Sequence, residues 1–413
     1  MKYNTHTLPC GMRIIHRQED GGVVYCGIGI AAGARDELQG EEGLAHFCEH
    51  ATFKGTSRRR AWHILNCLES VGGDLNAFTN KSDTVYHAAV PREHALRAID
   101  LLTDIVFHSV YPDSEIDREK EVICDEIESY NDSPAELIYD EIDNILFEHA
   151  PLGHNILGTA ESVRRFGSTD ARRFTQRNYR PEQTILFVAG NVNFQLIVRQ
   201  MEKAMAAYPC STPITEQPTA SAQLLTPTAH QGETIEQRRD THQAHVVVAT
   251  GTYTVFNDRR LPLFLLNNMV GGPGMNALFN INLRERHGLV YSVESSMSTW
   301  DNAGAWYTYF GCDHHDIDRC LRLIRKDMDR LMDEPVSETR LKAAKRQMKG
   351  QMQVAGDNRQ STTLDFAYDY LHLGREKDFA LLAERIDAIT ADDLQSVARD
   401  VFNPDRLTTL IFK

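Results

Sequence analysis

The segment His46-Phe47-Cys48-Glu49-His50 carries the residue types and the spacing of a zinc site. Residues four apart are neighbours on one face of a helix, so the imidazoles of His46 and His50 can point at a single metal ion. Glu49 lies between them in sequence and can take a proton from a water that the metal activates, without ligating the metal itself. The spacing alone leaves one alternative open, in which two unrelated histidines lie on a solvated helix face.

A catalytic zinc ion needs a third protein ligand and an open position, and an acidic helix is the best source of that ligand. Such a helix is predicted over Glu115–Tyr130, where Glu119 and Glu126 are seven residues apart and share a face over two turns. Val122 and Ile123 lie on the same side, which predicts a buried face whose carboxylates need a cation or a hydrogen-bonded partner. An ordinary charged surface helix is the alternative.

The cysteines do not extend this metal site. The chain has eight, none in a C-x-x-C pair, which favours reduced thiols in a cytoplasmic protein over a disulfide framework. Cys48 and Cys124 lie near the candidate ligands in sequence, but each is offset by two positions from them, about 200° around a helix. We therefore predict that both are small buried apolar groups.

Length and composition exclude several classes of protein. A length of 413 residues predicts two to four domains or subdomains, and the net charge of −14 argues against a nucleic-acid partner. No stretch approaches the roughly 20 apolar residues of a membrane span. The polar N-terminus lacks the apolar region of a secretory signal, so we expect a cytoplasmic protein with no membrane partner.

The same order of elements occurs twice along the chain and predicts an internal duplication. A segment rich in Pro, Thr and Ser divides the two halves, so we predict an N-terminal zinc-binding domain over 1–208, a linker over 209–232 and a C-terminal domain over 233–413. Apolar alternation predicts strands at Met12–His16, Val23–Ala31, Thr84–Val90, Thr184–Ala189, His245–Thr250, Leu289–Ser296, Ala305–Gly311 and Leu407–Phe412. Helical periodicity predicts helices that begin near Glu41 or span Arg60–Ser70, Glu115–Tyr130, Asp316–Met332 and Ser337–Ala355.

At these motifs the sequence resembles the pitrilysin/insulinase family of inverted-zincin metallopeptidases. Within that family it is most similar to the short subfamily of mitochondrial processing peptidase and its bacterial relatives, over nearly the whole chain. The run Gly43–Thr56 carries the resemblance well beyond the five core residues. The resemblance implies that Glu126, 76 residues after His50, is the third zinc ligand, and that Glu119 supports the site.

The resemblance also implies functions for two further segments, of which Gly72–Thr79 is the first. Gly72–Thr79 is similar to the family's strand beside the active site, which implies that Asn76 and Ala77 contact the substrate backbone and that Phe78 lines a side-chain pocket. A plain turn into a strand is the alternative for the two glycines.

In the second half, the family places an Arg and a Tyr seven residues apart, a spacing that Arg284 and Tyr291 match. They would act on the substrate carbonyl and the oxyanion. Taken alone, Arg284 would be assigned to a surface salt bridge and Tyr291 to the core. The sequence departs from many relatives at Asn276-Ala277, where they have Ser-Arg.

The resemblance also implies an architecture and an activity. We expect an α+β fold with two homologous halves, each a mainly antiparallel sheet with packed helices, forming a clam-shaped chamber. The expected protein is a zinc-dependent endopeptidase with one Zn²⁺ per chain, Glu49 as general base, peptides or unfolded segments as substrates, and a homodimer as its assembly. The alternative is a catalytically silent structural or chaperone-like subunit, which is disfavoured because every ligand position is filled.

Overall fold

Two β-sheets, each packed against helices, form the framework of the protein and confirm the predicted α+β class. The computed structural model describes residues 3–209, 224–225 and 230–413. The described residues divide into two units, one within 1–128, 154–218 and 355–377, the other within 129–153, 219–354 and 378–413. The predicted linker, 209–232, lies mostly outside the described residues.

Every strand and helix predicted from periodicity is present, with its ends within three residues of the prediction. Before residue 209 the strands are β1 (Tyr3–Thr7), β2 (Arg13–Arg17), β3 (Val23–Ile30), β4 (Asp74–Thr79), β5 (Thr84–Pro91) and β6 (Thr184–Ala189). The helices of this part are α1 (Leu44–Thr52), α2 (Ala61–Glu69), α3 (Ala95–Phe107), α4 (Asp113–Asn131), α5 (Pro134–Leu146), α6 (Ala160–Arg165), α7 (Ser168–Asn178) and α8 (Phe194–Ala204).

The second part of the chain repeats this pattern with fewer strands. Its strands are β7 (Thr234–Gln237), β8 (Ala244–Gly251), β9 (Val290–Thr299), β10 (Gly304–Cys312) and β11 (Thr408–Phe412). Its helices are α9 (Arg260–Gly271), α10 (Ile317–Asp333), α11 (Glu338–Ala355), α12 (Arg359–Leu373), α13 (Phe379–Ala388) and α14 (Ala391–Val401). A π-helical turn, Asn280–Arg286, lies between α9 and β9.

The strand orders of the two sheets support the predicted duplication. The first sheet has the order β1-β2-β6-β3-β5-β4 and the second the order β7-β11-β8-β10-β9. Without β1, the two orders correspond strand by strand. With β1 left out, the first pair of strands in each sheet is parallel and the other three pairs are antiparallel, so the pairing pattern is also the same.

Two helices pack on the sheet of the other half of the chain. Helix α5 precedes residue 208, but its apolar face packs on β8 and β11, where Ile138 and Ile142 join the core of the second unit. Helix α12 lies near the C-terminus, and its residues Phe366 and Leu371 pack on β3 and β6 of the first sheet. The units therefore differ from the predicted sequential division in these two segments. Helical periodicity identifies the apolar face of a helix, but it does not identify the sheet on which that face packs.

The packing of α5 and α12 explains why β6, β8, β10 and β11 are buried along their whole length. Successive side chains of a strand point to opposite faces, and both faces of each sheet are covered. On β6, for example, Leu186 points into the core under α3, and Phe187 points into the core under α12. All six residues of β6 are buried as a result.

The burial of Phe366 predicts that the exchanged helix α12 stabilises the first sheet. Its ring is fully buried, in edge contact with the ring of Tyr3 (5.3 Å between centroids) and 4.8 Å from the guanidinium carbon of Arg17. We expect Phe366→Ala to destabilise the first unit by about 3–5 kcal/mol, the usual cost of such a truncation. Hydrogen exchange at the amides of β3 and β6 should accelerate accordingly. Gln360→Ala, at an exposed position of the same helix, is the control and should change stability by less than about 0.5 kcal/mol.

No helix in the described part of the chain is long and apolar enough to cross a membrane.

Candidate metal centre

Helix α1 presents His46, Glu49 and His50 from a backbone that is anchored at its N-terminal end. The helix begins after Gly43, whose φ of 94° suits glycine, and a Cβ there would lie 2.7 Å from the Leu157 carbonyl oxygen. The buried carboxylate of Glu37 accepts hydrogen bonds from the backbone N–H groups of Gly43 (3.0 Å) and Ala45 (2.7 Å). These contacts satisfy donors that a helix terminus leaves free, and they fix where the motif begins.

The structure brings the two histidines of α1 together with Glu126 of α4. The Oε2 atom of Glu126 lies 3.3 Å from Nε2 of His50 and 3.8 Å from Nε2 of His46. One ligand atom from each of the three residues lies within 4.8 Å of the others. Tetrahedral zinc with bonds of about 2.0–2.1 Å holds its donor atoms roughly 3.3 Å apart, so this donor set fits a zinc ion after small adjustments.

Glu119 contacts the opposite side of the His50 ring. The Nδ1–H group of His50 donates to Oε1 of Glu119 at 2.9 Å, which leaves Nε2 to face Glu126. Such a hydrogen bond is the usual way in which a protein fixes the tautomer of a metal-binding histidine. Glu119 is buried, whereas the side chain of Glu126 is 46% exposed, so the two carboxylates of α4 occupy different environments.

One expectation about this face of α4 is wrong. Val122 is 51% exposed, whereas Ile123 is fully buried. The predicted face is therefore buried only around Glu119, where α4 packs close to α1, and it opens to solvent toward Glu126. Partial exposure of the candidate ligand Glu126 suits a metal site that solutes can reach.

The charges around the two imidazoles favour a cation. Burial, and then the charge of His50, lowers the pKa of His46. Burial also lowers the pKa of His50, but hydrogen bonds to Glu119 and Glu126 outweigh it and raise that pKa overall. The hydrogen bond to His50 lowers the pKa of Glu126. His46 Nδ1 is buried without a hydrogen-bond partner among the described residues, so Nε2 is the nitrogen that faces the other ligands.

Glu49 is held beside this cluster by a residue that the sequence-based assignment missed. The hydroxyl of Thr79, the last residue of β4, donates to Oε2 of Glu49 at 2.5 Å. Burial raises the pKa of Glu49, whereas this hydrogen bond lowers it, and the overall direction is upward. A raised pKa brings a carboxyl closer to the range in which a general base works. The signal for Thr79 was its place at the end of the Gly72–Thr79 motif.

The contact between Lys54 and Glu119 is the second one that the sequence did not predict. Its Nζ atom lies 2.5 Å from Oε2 of Glu119, the oxygen that does not contact His50. Lys54 belongs to the run Gly43–Thr56, but a lysine after a helix has no pattern that would assign it to a partner 65 residues later in the chain.

The predicted substrate strand is the edge strand of the first sheet. β4 pairs with β5 on one side and ends the strand order, so its other edge is not paired within the described sheet. Asn76 is exposed, and Ala77 and Phe78 are partly exposed, with the Phe78 ring 5.9 Å from the ring of His87. The structure thus leaves all three residues accessible, and their contact with substrate stays a prediction.

Arg284 and Tyr291 lie next to each other in the second unit. Arg284 belongs to the π-helical turn, Tyr291 is the second residue of β9, and the Arg284 guanidinium carbon lies 5.8 Å from the centre of the Tyr291 ring. Tyr291 is 84% exposed, so the reading of this residue as a core aromatic is excluded. Arg284 forms no ion pair with a carboxylate in the described ranges, which argues against a surface salt bridge. Their predicted catalytic roles stay a prediction.

The two cysteines near the motif are buried thiols, as predicted. Cys48 and Cys124 both belong to the apolar core of the first unit. Burial raises the pKa of each thiol, so neither is a thiolate that would compete for the metal.

Two segments of the chain match known protein families. Residues 13–160 match the family described as Insulinase (Peptidase family M16), and residues 165–348 match the one described as Peptidase M16 inactive domain. The candidate ligands His46, His50 and Glu126 lie in the first match with Glu49, and Arg284 and Tyr291 lie in the second.

Relatives with similar sequences extend over most of the chain. An uncharacterized zinc protease of Bacillus subtilis is 31% identical over 390 residues, which cover 94% of this chain and 92% of that protein. The mitochondrial-processing peptidase subunit beta of Neurospora crassa is 28% identical over 384 residues, 90% of this chain and 79% of that protein.

Solved structures support the fold independently of sequence. The crystal structure of a protease from Helicobacter pylori aligns with a TM-score of 0.89 at 19% identity, covering 100% of this chain and 99% of that one. At such a low sequence identity, this similarity supports the fold and not the function. The zinc proteases among the sequence relatives support zinc peptidase activity in general terms, and the chain belongs to peptidase family M16, the insulinase family.

Proposed function

We propose that this protein is a zinc-dependent endopeptidase that hydrolyses peptides or unfolded segments, with Glu49 as its general base. The observation that carries the proposal is the convergence of His46, His50 and Glu126 on one point beside the Glu49 carboxylate. These residues would hold one Zn²⁺ per chain. Bound zinc would supply a Lewis acid that lowers the pKa of water to about 7 and polarises a peptide carbonyl.

The side chains of the protein perform the proton transfers of this reaction. Glu49 accepts a proton from the attacking water on its carboxylate and later returns it to the leaving amine. The hydrogen bond from Thr79 keeps this carboxylate in one orientation, because one of its two oxygens is already engaged. The other oxygen is then available for the proton, which supports a base that does not need to reorient in each cycle.

The edge of β4 supports a peptide as the substrate. An extended peptide can add to an unpaired strand edge through backbone hydrogen bonds, which suits substrates of varied sequence. In the proposal, Asn76 and Ala77 contact the substrate backbone, and Phe78 contacts a side chain. Because Thr79 ends the same strand and contacts Glu49, a peptide along β4 would run toward the general base.

Zinc analysis together with peptide hydrolysis tests the proposal. The purified protein should contain one zinc per chain and cleave internal bonds in a library of quenched fluorescent peptides. A zinc chelator should stop cleavage, and added Zn²⁺ should restore it. A zinc-loaded protein that binds these peptides without cleaving them would instead support the silent, chaperone-like alternative. The proposed cytoplasmic homodimer is tested separately, by sedimentation and by fractionation of the source cells.

Tyr291 is assigned to the oxyanion in this proposal, and its hydroxyl can be removed alone. We expect Tyr291→Phe to lower kcat/KM by about 10²–10³-fold, the usual cost of losing one such donor. Zinc content and folding should not change, because the side chain is exposed and the ring is retained. Ser292→Ala, at the next exposed position of β9, is the matched control and should retain full activity. Full activity in Tyr291→Phe would remove this residue from the mechanism.

A further inference from the structure

Lys54 occupies a fixed position just beyond the C-terminal end of α1. Its backbone N–H donates to the carbonyl of Ala51 at 3.1 Å, and the loop that follows it is tied to the buried carboxylate of Asp104. The hydroxyl of Thr56 donates to Asp104 Oδ2 at 2.7 Å, and Arg59 donates to the same oxygen at 2.6 Å. A lysine on such a loop loses less conformational freedom when it forms a contact than one on a mobile segment.

The two oxygens of Glu119 have different partners, and Lys54 is one of them. Oε1 accepts from His50 Nδ1 at 2.9 Å, and Oε2 contacts Lys54 Nζ at 2.5 Å. The side chain of Glu119 is only 9% exposed, so its charge depends on these partners rather than on water. A metal-binding His50 is a neutral imidazole, and Lys54 is then the full positive charge in contact with Glu119 among the described residues.

We propose that Lys54 is a positioning residue of the metal centre, which acts through Glu119 to hold the His50 ring in its metal-binding orientation. The contact with Lys54 fixes the rotation of the Glu119 carboxylate, and the fixed Oε1 then fixes the His50 ring and its tautomer. Without Lys54, one oxygen of a buried carboxylate loses its partner. The carboxylate can then turn away from His50, and Nε2 is no longer held toward Glu126 and His46.

This inference rests on the proposed use of zinc, but it is tested by metal binding, without a peptide substrate. The test variant is Lys54→Met, which keeps the length of the side chain and removes its charge. Lys54→Arg restores a cation. Lys120→Met is the matched control, because Lys120 lies on α4 itself and pairs at 3.1 Å with Asp117, which is exposed and outside the site. The affinity for Zn²⁺ is measured by competition with a chromogenic chelator, and the visible spectrum of the Co²⁺-loaded protein reports the ligand geometry.

We expect Lys54→Met to weaken Zn²⁺ binding by about 10–100-fold, the range found when an outer partner of a metal ligand is lost. The Co²⁺ bands should shift in Lys54→Met, Lys54→Arg should recover most of the affinity, and Lys120→Met should bind as the parent does. In Lys54→Met/Glu119→Gln the losses should be less than additive, since both changes break the same chain of contacts.

Unchanged Zn²⁺ affinity and an unchanged Co²⁺ spectrum in a folded Lys54→Met variant would overturn the inference. If that variant does not fold, Lys54→Gln provides the same comparison with a polar side chain. The outcome is separate from that of the proposed function. A protein that loses zinc affinity in Lys54→Met and yet cleaves no peptide supports the positioning role and contradicts the peptidase.

Discussion

Replacing Glu49 with Gln is expected to lower kcat/KM by about 10²–10⁴-fold, the range of general-base contributions, while zinc stays bound. The amide has almost the same shape as the carboxylate, and its oxygen can still accept the hydrogen bond from Thr79, so the local packing is retained. What it loses is the ability to accept a proton at pH 7. The effect should therefore fall on kcat, with little change in KM.

The measurement combines the kinetics of peptide cleavage with zinc analysis and the thermal midpoint of the same preparation. Glu69→Gln, at an exposed position on α2, is the matched control for the loss of one carboxylate and should retain full activity. Full activity in Glu49→Gln would exclude the proposed role of Glu49. Loss of zinc in that variant would instead make Glu49 a ligand, contrary to the geometry in which Glu126 faces both Nε2 atoms.

The second large effect is expected when a ligand is removed. His46→Ala should weaken Zn²⁺ binding by more than the roughly 100-fold that the loss of an outer partner costs, and cleavage should fall to background. Two protein ligands would remain, fewer than the three on which catalytic zinc sites rely. The buried His46 ring has no hydrogen-bond partner at Nδ1 within the described ranges, so its removal breaks no other contact of that nitrogen.

Zinc titration of the metal-stripped protein checks this expectation, and His63→Ala, at an exposed position of α2, is the control. A His46→Ala variant that still binds one zinc tightly would place the metal elsewhere. The other group of suitable side chains among the described residues is Asp313, His315 and Asp316, which lies at the surface of the second unit. Added zinc that restores binding but not cleavage would mean that the metal had moved to such a site.

Spacing along the chain predicts part of the candidate metal site. The ligand motif lies on one helix, where the separation of four residues by itself aims both imidazoles in one direction. The separation of seven residues likewise places Glu119 and Glu126 on one face of α4. Spacing could not separate the environments of the two carboxylates, because the burial of Glu119 depends on the distance between α4 and α1. That distance is set by the packing of both helices into the apolar core of the first unit.

The contacts of Thr79 and Lys54 could not be predicted from spacing along the chain. Thr79 meets a residue 30 positions earlier, and Lys54 meets one 65 positions later, in both cases across two different elements. Neither residue type is diagnostic of a metal site, and no local pattern links the partners. Only the packing of α1 against β4 and α4 brings these polar atoms within hydrogen-bond distance.

By itself the sequence predicted eight of the strands, five of the helices, the candidate zinc-ligand motif on α1 and the repeated order of elements, because each depends on the local periodicity of apolar residues or on spacing within one helix. The tertiary structure decided which carboxylate supports His50, how Glu49 is oriented, and which sheet α5 and α12 cover. These outcomes depend on contacts between segments far apart in the chain. An amphipathic helix such as α12 buries its apolar face wherever the fold offers a complementary surface, and here that surface belongs to the sheet formed by the other half of the chain.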